Sequence, residues 1–322
     1  MNLFTVSSSP HIRSKESTSR IMLDVVIALI PAGIASVYFY GVGVLWIMLV
    51  SIGSAVLTEY LLQKFMKKPV TIDDFSAVVT GLLLAYNLPS GAPWWLAVIG
   101  SVVAIALVKH VFGGLGHNFM NPALAARAIL LAAWPVRMTS WVLPGADAAT
   151  SATTSATPLA ILKGTEAVGA QLPSFMDVFL GNIGGTIGEV SSIALLIGAA
   201  YLLARKVIGW RIPLTYIATT FVLTALLGED GLYGSFYQIF LGGLILGAFY
   251  MATDYSTSPV TPKGQIIMGI GCGVLTAIIR IYGGYPEGVS YSILLMNVVT
   301  PLIDKYTMPK RFGEVKAHVR NR

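Results

Sequence analysis

Four carboxylates lie inside or beside long apolar stretches: Asp24, Glu59, Asp254 and Glu287. A charged side chain in a bilayer is costly, so such acids are candidates for binding a cation or relaying a proton. Asp254 has the most favourable setting, because it follows a Gly-rich apolar stretch and precedes a Thr/Ser/Pro-rich loop. The alternative for Asp254 is a hydrogen bond that caps the turn over residues 256–262. Asp24 and Glu59 lie near enough to segment ends to be solvated or paired.

Three other polar side chains belong to one apolar stretch near the middle of the chain. Arg127 lies inside it and could pair with an acid or hold a phosphate or carbonyl group, and the sequence does not choose between these. Asn118 and Asn121 come just before Pro122. Asparagine followed by proline is typical of a helix N-terminus. A ligand-binding role for either amide stays open beside this capping role.

Residues 150–157 repeat one tetrapeptide, Thr-Ser-Ala-Thr, in tandem between apolar stretches. Composition alone indicates a flexible loop. Threonine hydroxyls have no ordinary reason to repeat at a membrane surface, however, so the loop is also a candidate for chemistry. Its last residue, Thr157, is followed by Pro158 and Leu159.

The composition is that of an integral membrane protein. Of 322 residues 55% are hydrophobic and 11% are charged, against about 25% charged in soluble domains, and the mean hydropathy is +0.74. The lone Cys272 excludes an internal disulfide and a multi-cysteine iron–sulfur site. Four histidines without ligand spacing indicate no metal site. The polar first 20 residues do not form a cleavable signal.

A helix needs about 20 apolar residues to cross a bilayer, and the sequence predicts ten spans. Two of them, 75–88 and 121–136, are too short to cross simply, as is typical of broken helices. The predicted spans are 21–40, 44–62, 75–88, 94–112, 121–136, 191–203, 212–227, 236–251, 265–282 and 290–303.

The basic residues give an orientation. With ten spans, one side carries most of the lysines and arginines, Lys109 among them, and the other side carries few, Arg137, Lys163 and Arg280. The positive-inside rule then places both termini in the cytoplasm and the loop 137–190 outside. This distribution in loops also argues against nucleic acid as the partner of a chain whose net charge is +6.

Two short echoes indicate an internal repeat. Residues 111–114 (Val-Phe-Gly-Gly) are echoed by 281–284 (Ile-Tyr-Gly-Gly), and 80–85 by 242–247, each at the matching place in its half. Five spans per half is an odd number, so the halves would have inverted topology. The alternative is chance similarity between apolar helices. The predicted fold is an all-α membrane bundle of two inverted five-helix repeats, residues 21–136 and 191–304, with a polar N-terminal segment 1–20 and a basic tail 305–322.

Several motifs, in order along nearly the whole chain, resemble the D subunit of the Rnf electron-transport complex. The related B subunit of the Na+-translocating NADH:quinone reductase is similar, but usually has a longer N-terminal region. The stretches that carry the resemblance are Ser9-Pro10-His11, Gly116-His117-Asn118-Phe119-Met120-Asn121-Pro122-Ala123, Thr154-Ser155-Ala156-Thr157-Pro158-Leu159, Met251-Ala252-Thr253-Asp254 and Tyr285-Pro286-Glu287-Gly288.

The resemblance implies a covalent cofactor. In these families the last threonine of a Ser/Thr-x-Ala-Thr motif carries FMN through a phosphoester bond, which here implies Thr157, with Ser155 in the motif. The family usually has glycine at the position of Ser155. Thr153 also satisfies the minimal pattern, but only Thr157 is followed by the Pro-Leu of the family. A second, non-covalent flavin, riboflavin or FMN, is implied near Asn118, Asn121 and Arg127.

The implied function is electron relay in a membrane complex that couples electron transfer between ferredoxin and NAD+ to movement of H+ or Na+. The implied partners are an extracytoplasmic flavoprotein subunit and iron–sulfur subunits. NAD would belong to a partner, since no Gly-x-Gly-x-x-Gly motif is present. One alternative is the quinone-reductase B subunit. The other, from a different class, is a solute channel or transporter with inverted repeats, which would have no need for the Thr157 loop.

Overall fold

The computed structural model describes residues 16–144, 157–163, 172–189, 191–229, 231–284 and 287–309. The regular structure of these residues is helical, and their one β-type contact is a single bridging pair, Pro89 with Thr186. Ser155, Thr153 and the motif residues 9–11 and 285–286 lie outside the described residues. The α-helices are α1 Thr18–Tyr40, α2 Gly43–Phe65, α3 Ser76–Tyr86, α4 Trp94–Val102, α5 Pro122–Ala133, α6 Pro135–Met138, α7 Pro158–Leu162, α8 Phe175–Leu180, α9 Ser192–Ala204, α10 Arg211–Leu227, α11 Gly231–Ile239, α12 Leu244–Leu246, α13 Pro262–Tyr282 and α14 Val289–Thr307.

Shorter turns complete the helical path. α4 continues in wider, π-type turns over Val103–His110, and α12 does the same over Gly247–Met251. Single 3-10 turns cover Ile72–Asp74 and Ile187–Glu189. Both π-type segments follow an α-helix without a break, so the chain direction is kept while the hydrogen-bonding pattern loosens.

The predicted spans correspond to helices, but few of the helices are long. Only α1, α2 and α13, among the described residues, are each long and apolar enough to cross a membrane alone, and α11 with α12 adds a fourth if the bent pair counts as one span. α3, α5, α9 and α10 are apolar but shorter. The protein is therefore an all-helical membrane protein, and the count of ten crossings stays a prediction.

One predicted span is not a continuous helix. The hydropathy of residues 236–251 predicts one helix, whereas α11 ends at Ile239 and α12 begins at Leu244, with a bend of 56° between them. Gly242 and Gly243 both have positive φ, +63° and +68°. That conformation is costly for residues with a Cβ, so the Gly-Gly pair is what permits the break.

Two of the basic residues used to orient the chain are inside the protein. Lys109 is 2% exposed and Arg280 is 4% exposed. Lys109 pairs with Glu59, and Arg280 binds backbone carbonyls. A cation whose charge is satisfied by the protein does not report which side of the membrane a loop faces, so neither residue supports the orientation. Exposed Lys64 lies in the last turn of α2, and exposed Lys67 and Lys68 follow that helix.

Large apolar side chains cover the outer faces of the helices, and polar side chains are sequestered inside. Ile34, Trp46 and Leu226 are exposed on three different helices. Buried hydroxyls such as Thr220 and Thr224 bond carbonyls one turn back in their own helix. An apolar exterior over a bundle with internally satisfied polar groups is what a lipid environment demands.

Two tyrosines make the same contact in the two halves of the chain. Tyr86, at the end of α3, donates to the carbonyl of Leu29 on α1 at 2.7 Å. Tyr250, in the π-type segment after α12, donates to the carbonyl of Leu195 on α9 at 2.7 Å. Each hydroxyl also lies where a Cβ would fall at a glycine of the helix it contacts, Gly33 or Gly198. Each tyrosine thereby fixes the helix that opens its half against the third predicted span of that half.

The α1–α9 contact gives a stability prediction. A Cβ at Gly198 would collide with the carbonyl oxygen of Ala28 and the hydroxyl of Tyr250. We expect Gly198→Ala to destabilise the protein by about 1–3 kcal/mol, the usual cost of overpacking, and to lower its melting temperature in detergent. Gly53→Ala is the matched control, because Gly53 is also within a helix but has open space at its Cβ. Equal melting temperatures for the two variants would contradict this packing.

Candidate functional site

Thr157 is the N-cap of α7 and lines a small internal cavity. Its Oγ1 accepts a hydrogen bond from the backbone N–H of Ala160 at 3.2 Å, and the residue is 7% exposed. The cavity, here called the Thr157 cavity, measures about 20 Å³, room for about one water molecule. Its walls come from α7 and its N-cap, from the segment before α9, from the helix break and from a residue two positions before α14: Thr157, Pro158, Leu159, Ile183, Gly184, Gly185, Glu189, Leu241, Gly242 and Glu287.

The helix break is held by Arg280 of α13. Its Nη1 donates to the carbonyl of Gln238 at 2.7 Å and its Nη2 to the carbonyl of Leu241 at 2.8 Å. Carbonyls at the end of a helix have no N–H partner within the helix. The guanidinium donates to two such carbonyls in place of the N–H groups that a continuous helix would provide. Because Nη2 also lies 3.1 Å from the Cβ position of Gly242, the cation sits directly against the wall of the Thr157 cavity.

A second arginine ties the opposite wall to the centre of the bundle. Arg127 of α5 forms an ion pair with Glu287. Its Nη1 also donates to Ser290 Oγ at 2.6 Å and to Asn87 Oδ1 at 3.3 Å. Of the two roles left open for Arg127, the structure provides the acid partner. The pairing joins α5, α14 and the end of α3, and it brings the predicted acid Glu287 to the Thr157 cavity.

A larger cavity shares Leu159 of α7 with the Thr157 cavity. It measures about 450 Å³, within the range of small-molecule sites. Arg280 lines the larger cavity and also lies against Gly242 in the wall of the Thr157 cavity. Lys163 contributes a second cation, and its Nζ donates to the carbonyl of Gly283. The lining of this α7–α13 cavity is Leu159, Leu162, Lys163, Leu227, Gly228, Glu229, Gln238, Arg280, Ile281 and Tyr282.

Asn118 and Asn121 border a different cavity. This Asn118 cavity measures about 90 Å³ and is also lined by Thr80, Lys109 and Asp254. Asn121 is the N-cap of α5, since its Oδ1 accepts from the N–H groups of Ala123 and Leu124. The capping role is therefore confirmed for Asn121. Asn118 bonds the carbonyl of Met120 at 3.3 Å, outside the helix.

The two cavities face different levels of α14. Ser290, at its start, contacts Arg127 beside the Thr157 cavity. Asn297, seven residues later, accepts from the N–H of Asn121 at 3.1 Å beside the Asn118 cavity. Seven residues of helix rise about 10 Å. The predicted site residues thus form two groups, Thr157 in one and Asn118, Asn121 and Asp254 in the other, and Arg127 lies between them.

Asp254 takes part in a local turn. Its Oδ2 accepts from Ser256 Oγ at 2.9 Å and from Thr257 Oγ1 at 3.1 Å, the contacts of a capping aspartate. A role for Asp254 on an ion path stays a prediction.

The two remaining acids are paired. Asp24 of α1 accepts from Tyr201 at 2.8 Å and from Arg205 at 3.1 Å, both on or next to α9. Glu59 of α2 binds Lys109 with both oxygens at 2.8 Å.

Sequence reasoning missed three features of the Thr157 cavity. Glu189 has no predicted role, because it lies in a polar loop where an acid is unremarkable. Arg280 counts as a loop cation from sequence, although its place at the end of an apolar helix is the setting of a buried, partnered charge. Gly242 and Gly243 stand out only as part of an echo, whereas adjacent glycines inside an apolar segment are also a signal of a helix break.

Known proteins match the chain along nearly its whole length. A model of the NQR2, RnfD, RnfE family matches residues 5–313. The chain belongs to that family. A relative from Acetobacterium woodii, named as the D subunit of a Na+-translocating ferredoxin:NAD+ oxidoreductase complex, is 55% identical, with 97% of this chain and 96% of the relative aligned.

Two other relatives of the family carry similar names. The D subunit of the proton-translocating ferredoxin:NAD+ oxidoreductase complex of Clostridium ljungdahlii is 49% identical, with 97% of each chain aligned. The D subunit of the ion-translocating oxidoreductase complex of Escherichia coli K12/DH10B is 36% identical, with 98% and 99% aligned. The resemblance to the D subunit is confirmed, and these relatives are subunits of ion-translocating oxidoreductase complexes.

The buried Glu59–Lys109 ion pair lies beside the Asn118 cavity, and its contribution to stability can be tested. Lys109 Nζ also donates to Ser76 Oγ at 2.6 Å, so the ammonium joins α2, α3 and the π-type segment. Removing one member of a buried pair leaves an uncompensated charge and costs about 3–5 kcal/mol. We expect Lys109→Met to lower the melting temperature strongly, and Lys109→Met with Glu59→Gln to recover most of the loss. A double variant less stable than the single one would contradict the pairing.

Proposed function

We propose that this protein is the D-type membrane subunit of an Rnf ferredoxin:NAD+ oxidoreductase complex. In this role it carries FMN on Thr157 and relays electrons between partner subunits while the complex moves H+ or Na+. The observation that supports this most directly is the Thr157 environment. The buried hydroxyl lines a small cavity with a glycine-backbone wall, and the larger α7–α13 cavity, which contains Arg280, shares Leu159 with it. The names of the relatives supply the reaction and the ion coupling.

The local chemistry of Thr157 suits an ester. Its Oγ1 accepts an N–H and is not needed as a donor within the described residues. An esterified oxygen keeps lone pairs and can still accept. The Thr157 cavity itself is too small for a flavin, but the α7–α13 cavity, lined by Leu159 and Leu162 of the same five-residue helix, has the volume of a ligand site.

The α7–α13 cavity also has the polarity that a flavin mononucleotide requires. Lys163 and Arg280 supply positive charge for a phosphate or for a carbonyl of the ring, while Leu162, Ile281 and Tyr282 supply apolar surface. FMN held there would supply one- and two-electron redox chemistry. The protein's own contribution is to tether it, to shield it from water and to set the charge beside it.

The electrons in this proposal enter from an extracytoplasmic flavoprotein subunit and leave inward toward iron–sulfur subunits. In this proposal Thr157 faces the outside of the inner membrane and both termini are cytoplasmic. The exposed lysines and arginines of other loops support this orientation through the positive-inside rule. Relatives named as members of such complexes support the presence of partner subunits.

The predicted second flavin does not fit the Asn118 cavity as it stands. A volume of about 90 Å³ is below the range of small-molecule sites, about 300–1,000 Å³. We derive no electron-transfer step through that cavity.

Two inverted five-span repeats remain our proposal for the architecture. The matching contacts of Tyr86 with α1 and Tyr250 with α9 support it, because each lies at the same place in its half. The helix break at Gly242–Gly243 also supports it, since broken helices that border a binding site are a feature of inverted-repeat membrane proteins.

The attachment residue has a direct test. Thr157→Ala removes the hydroxyl and one N-cap, which costs about 1 kcal/mol, so the bundle should still fold. Whole-protein mass spectrometry should show one FMN increment on the wild-type chain and on Thr153→Ala, and none on Thr157→Ala. Retention of the increment in Thr157→Ala with loss in Thr153→Ala would move the attachment to Thr153.

The two roles considered for Asp254 are separated by Asp254→Asn. The amide oxygen can still accept from Ser256 and Thr257, so a turn cap survives. If Asp254 acts only in the turn, as its contacts favour, both ferredoxin-dependent NAD+ reduction and ion uptake into vesicles stay near wild-type values. Loss of ion uptake with retained NAD+ reduction would instead put its charge on the ion path.

A further inference from the structure

Glu189 is a buried carboxylate that interacts with Thr186, three residues earlier in the chain. It is 8% exposed and lines the Thr157 cavity. Its Oε1 has no hydrogen-bond partner among the described residues. The carboxylate lies against the backbone of the helix break, where a Cβ at Gly243 would collide with Oε1. A buried acceptor left without a donor is costly unless the group can take up a proton or bind a ligand.

The other charges around Glu189 are already engaged. Glu287, on the opposite wall of the cavity, pairs with Arg127. Arg280 uses two of its donors on the carbonyls of Gln238 and Leu241. The remaining titratable group facing this carboxylate is Tyr40 of α1, whose hydroxyl bonds the backbone at residues 183–185. Glu189 is thus the one carboxylate of the described cavity wall with no cation of its own.

Two carboxylates in one small, water-poor space do not both ionise freely. Burial and the neighbouring Glu287 carboxylate raise the pKa of Glu189, Arg127 and Thr186 oppose the rise, and the net result is a pKa of about 7. Near neutral pH the group is therefore poised between its protonated and ionised forms. Any further negative charge in or beside the cavity favours the protonated form.

We propose that Glu189 is a proton-binding residue of the Thr157 cavity, taking up one proton when an electron arrives beside the cavity and releasing it when the electron leaves. This rests on the proposed function for the source of the electron, the upstream flavoprotein subunit, and for the carrier that receives it, the FMN on Thr157. The arriving electron adds one negative charge, and one proton from extracytoplasmic water binds Oε1 and cancels it. When the electron moves on to the next carrier, the O–H bond breaks and the proton returns to that water.

The first test needs no flavin. Infrared spectra of the assembled complex carrying Thr157→Ala are recorded from pH 5 to pH 9, with and without Glu189→Gln. A carboxylic-acid C=O band that titrates near pH 7 should be present in the first and missing from the second. Asp177→Asn is the matched control, because Asp177 is a partly exposed acid in the first turn of α8 and does not line the Thr157 cavity. It should leave the band unchanged.

A companion variant tests the coupling between the two acids. Glu287→Gln removes the neighbouring negative charge and leaves Arg127 to act on Glu189 alone, so the band should titrate at lower pH. A band that is unaffected by Glu189→Gln, or a Thr157→Ala complex with no carboxylic-acid band that titrates near pH 7, overturns the proposal without bearing on whether Thr157 carries FMN.

The second test uses the flavin. The midpoint potential of the covalent FMN is measured against pH in the wild-type complex, in Glu189→Gln and in Asp177→Asn. The dependence on pH between 6 and 8 should become shallower in Glu189→Gln alone. Equal slopes in all three would show that Glu189 does not follow the electron. A slope that changes with Na+ concentration and not with pH would assign the carboxylate to a cation and would equally overturn the proposal.

Discussion

The interaction between Arg280 and the broken helix is the one on which the rest of this site depends. A membrane helix that stops at Ile239 and restarts at Leu244 leaves carbonyls without partners in a place that water does not readily reach. The guanidinium of Arg280 satisfies two of them. Because that cation is fixed by the backbone, it also fixes the wall against which Thr157 and Glu189 lie.

The helix break also determines where the carboxylate of Glu189 can lie in the cavity. Gly242 and Gly243 allow the backbone to turn and leave no side chain between it and the carboxylate of Glu189. On the other wall, Glu287 is held by Arg127, which in turn reaches Asn87 and Ser290. The cavity is therefore lined by four separate parts of the chain: residues 157–159, 183–189, 241–242 and 287. The side chains of Thr157, Glu189 and Glu287 contribute polar or charged groups to its wall inside an apolar bundle.

The sequence predicts the helices well where apolar runs are continuous, as in α1, α2 and α13, and it predicts the N-cap of α5 from Asn121 and Pro122. It fails at residues 236–251, since a hydropathy window averages over the Gly-Gly pair and cannot sense a bend. It also does not reveal Glu189 or the role of Arg280. Their importance comes from three-dimensional neighbours that are about 40 to 100 positions away in the chain, and neither periodicity nor local spacing carries that information.

The central proposal is that Thr157, the helix break and Arg280 together form one flavin site. A high-resolution cryo-electron microscopy map of the assembled complex in lipid nanodiscs tests it most directly. We predict continuous density from Thr157 Oγ1 to a phosphate, with the ring system in the cavity between α7 and α13 and within contact of Arg280. Density joined to another residue, or a ring that lies on the lipid-facing surface away from Arg280, would contradict the account.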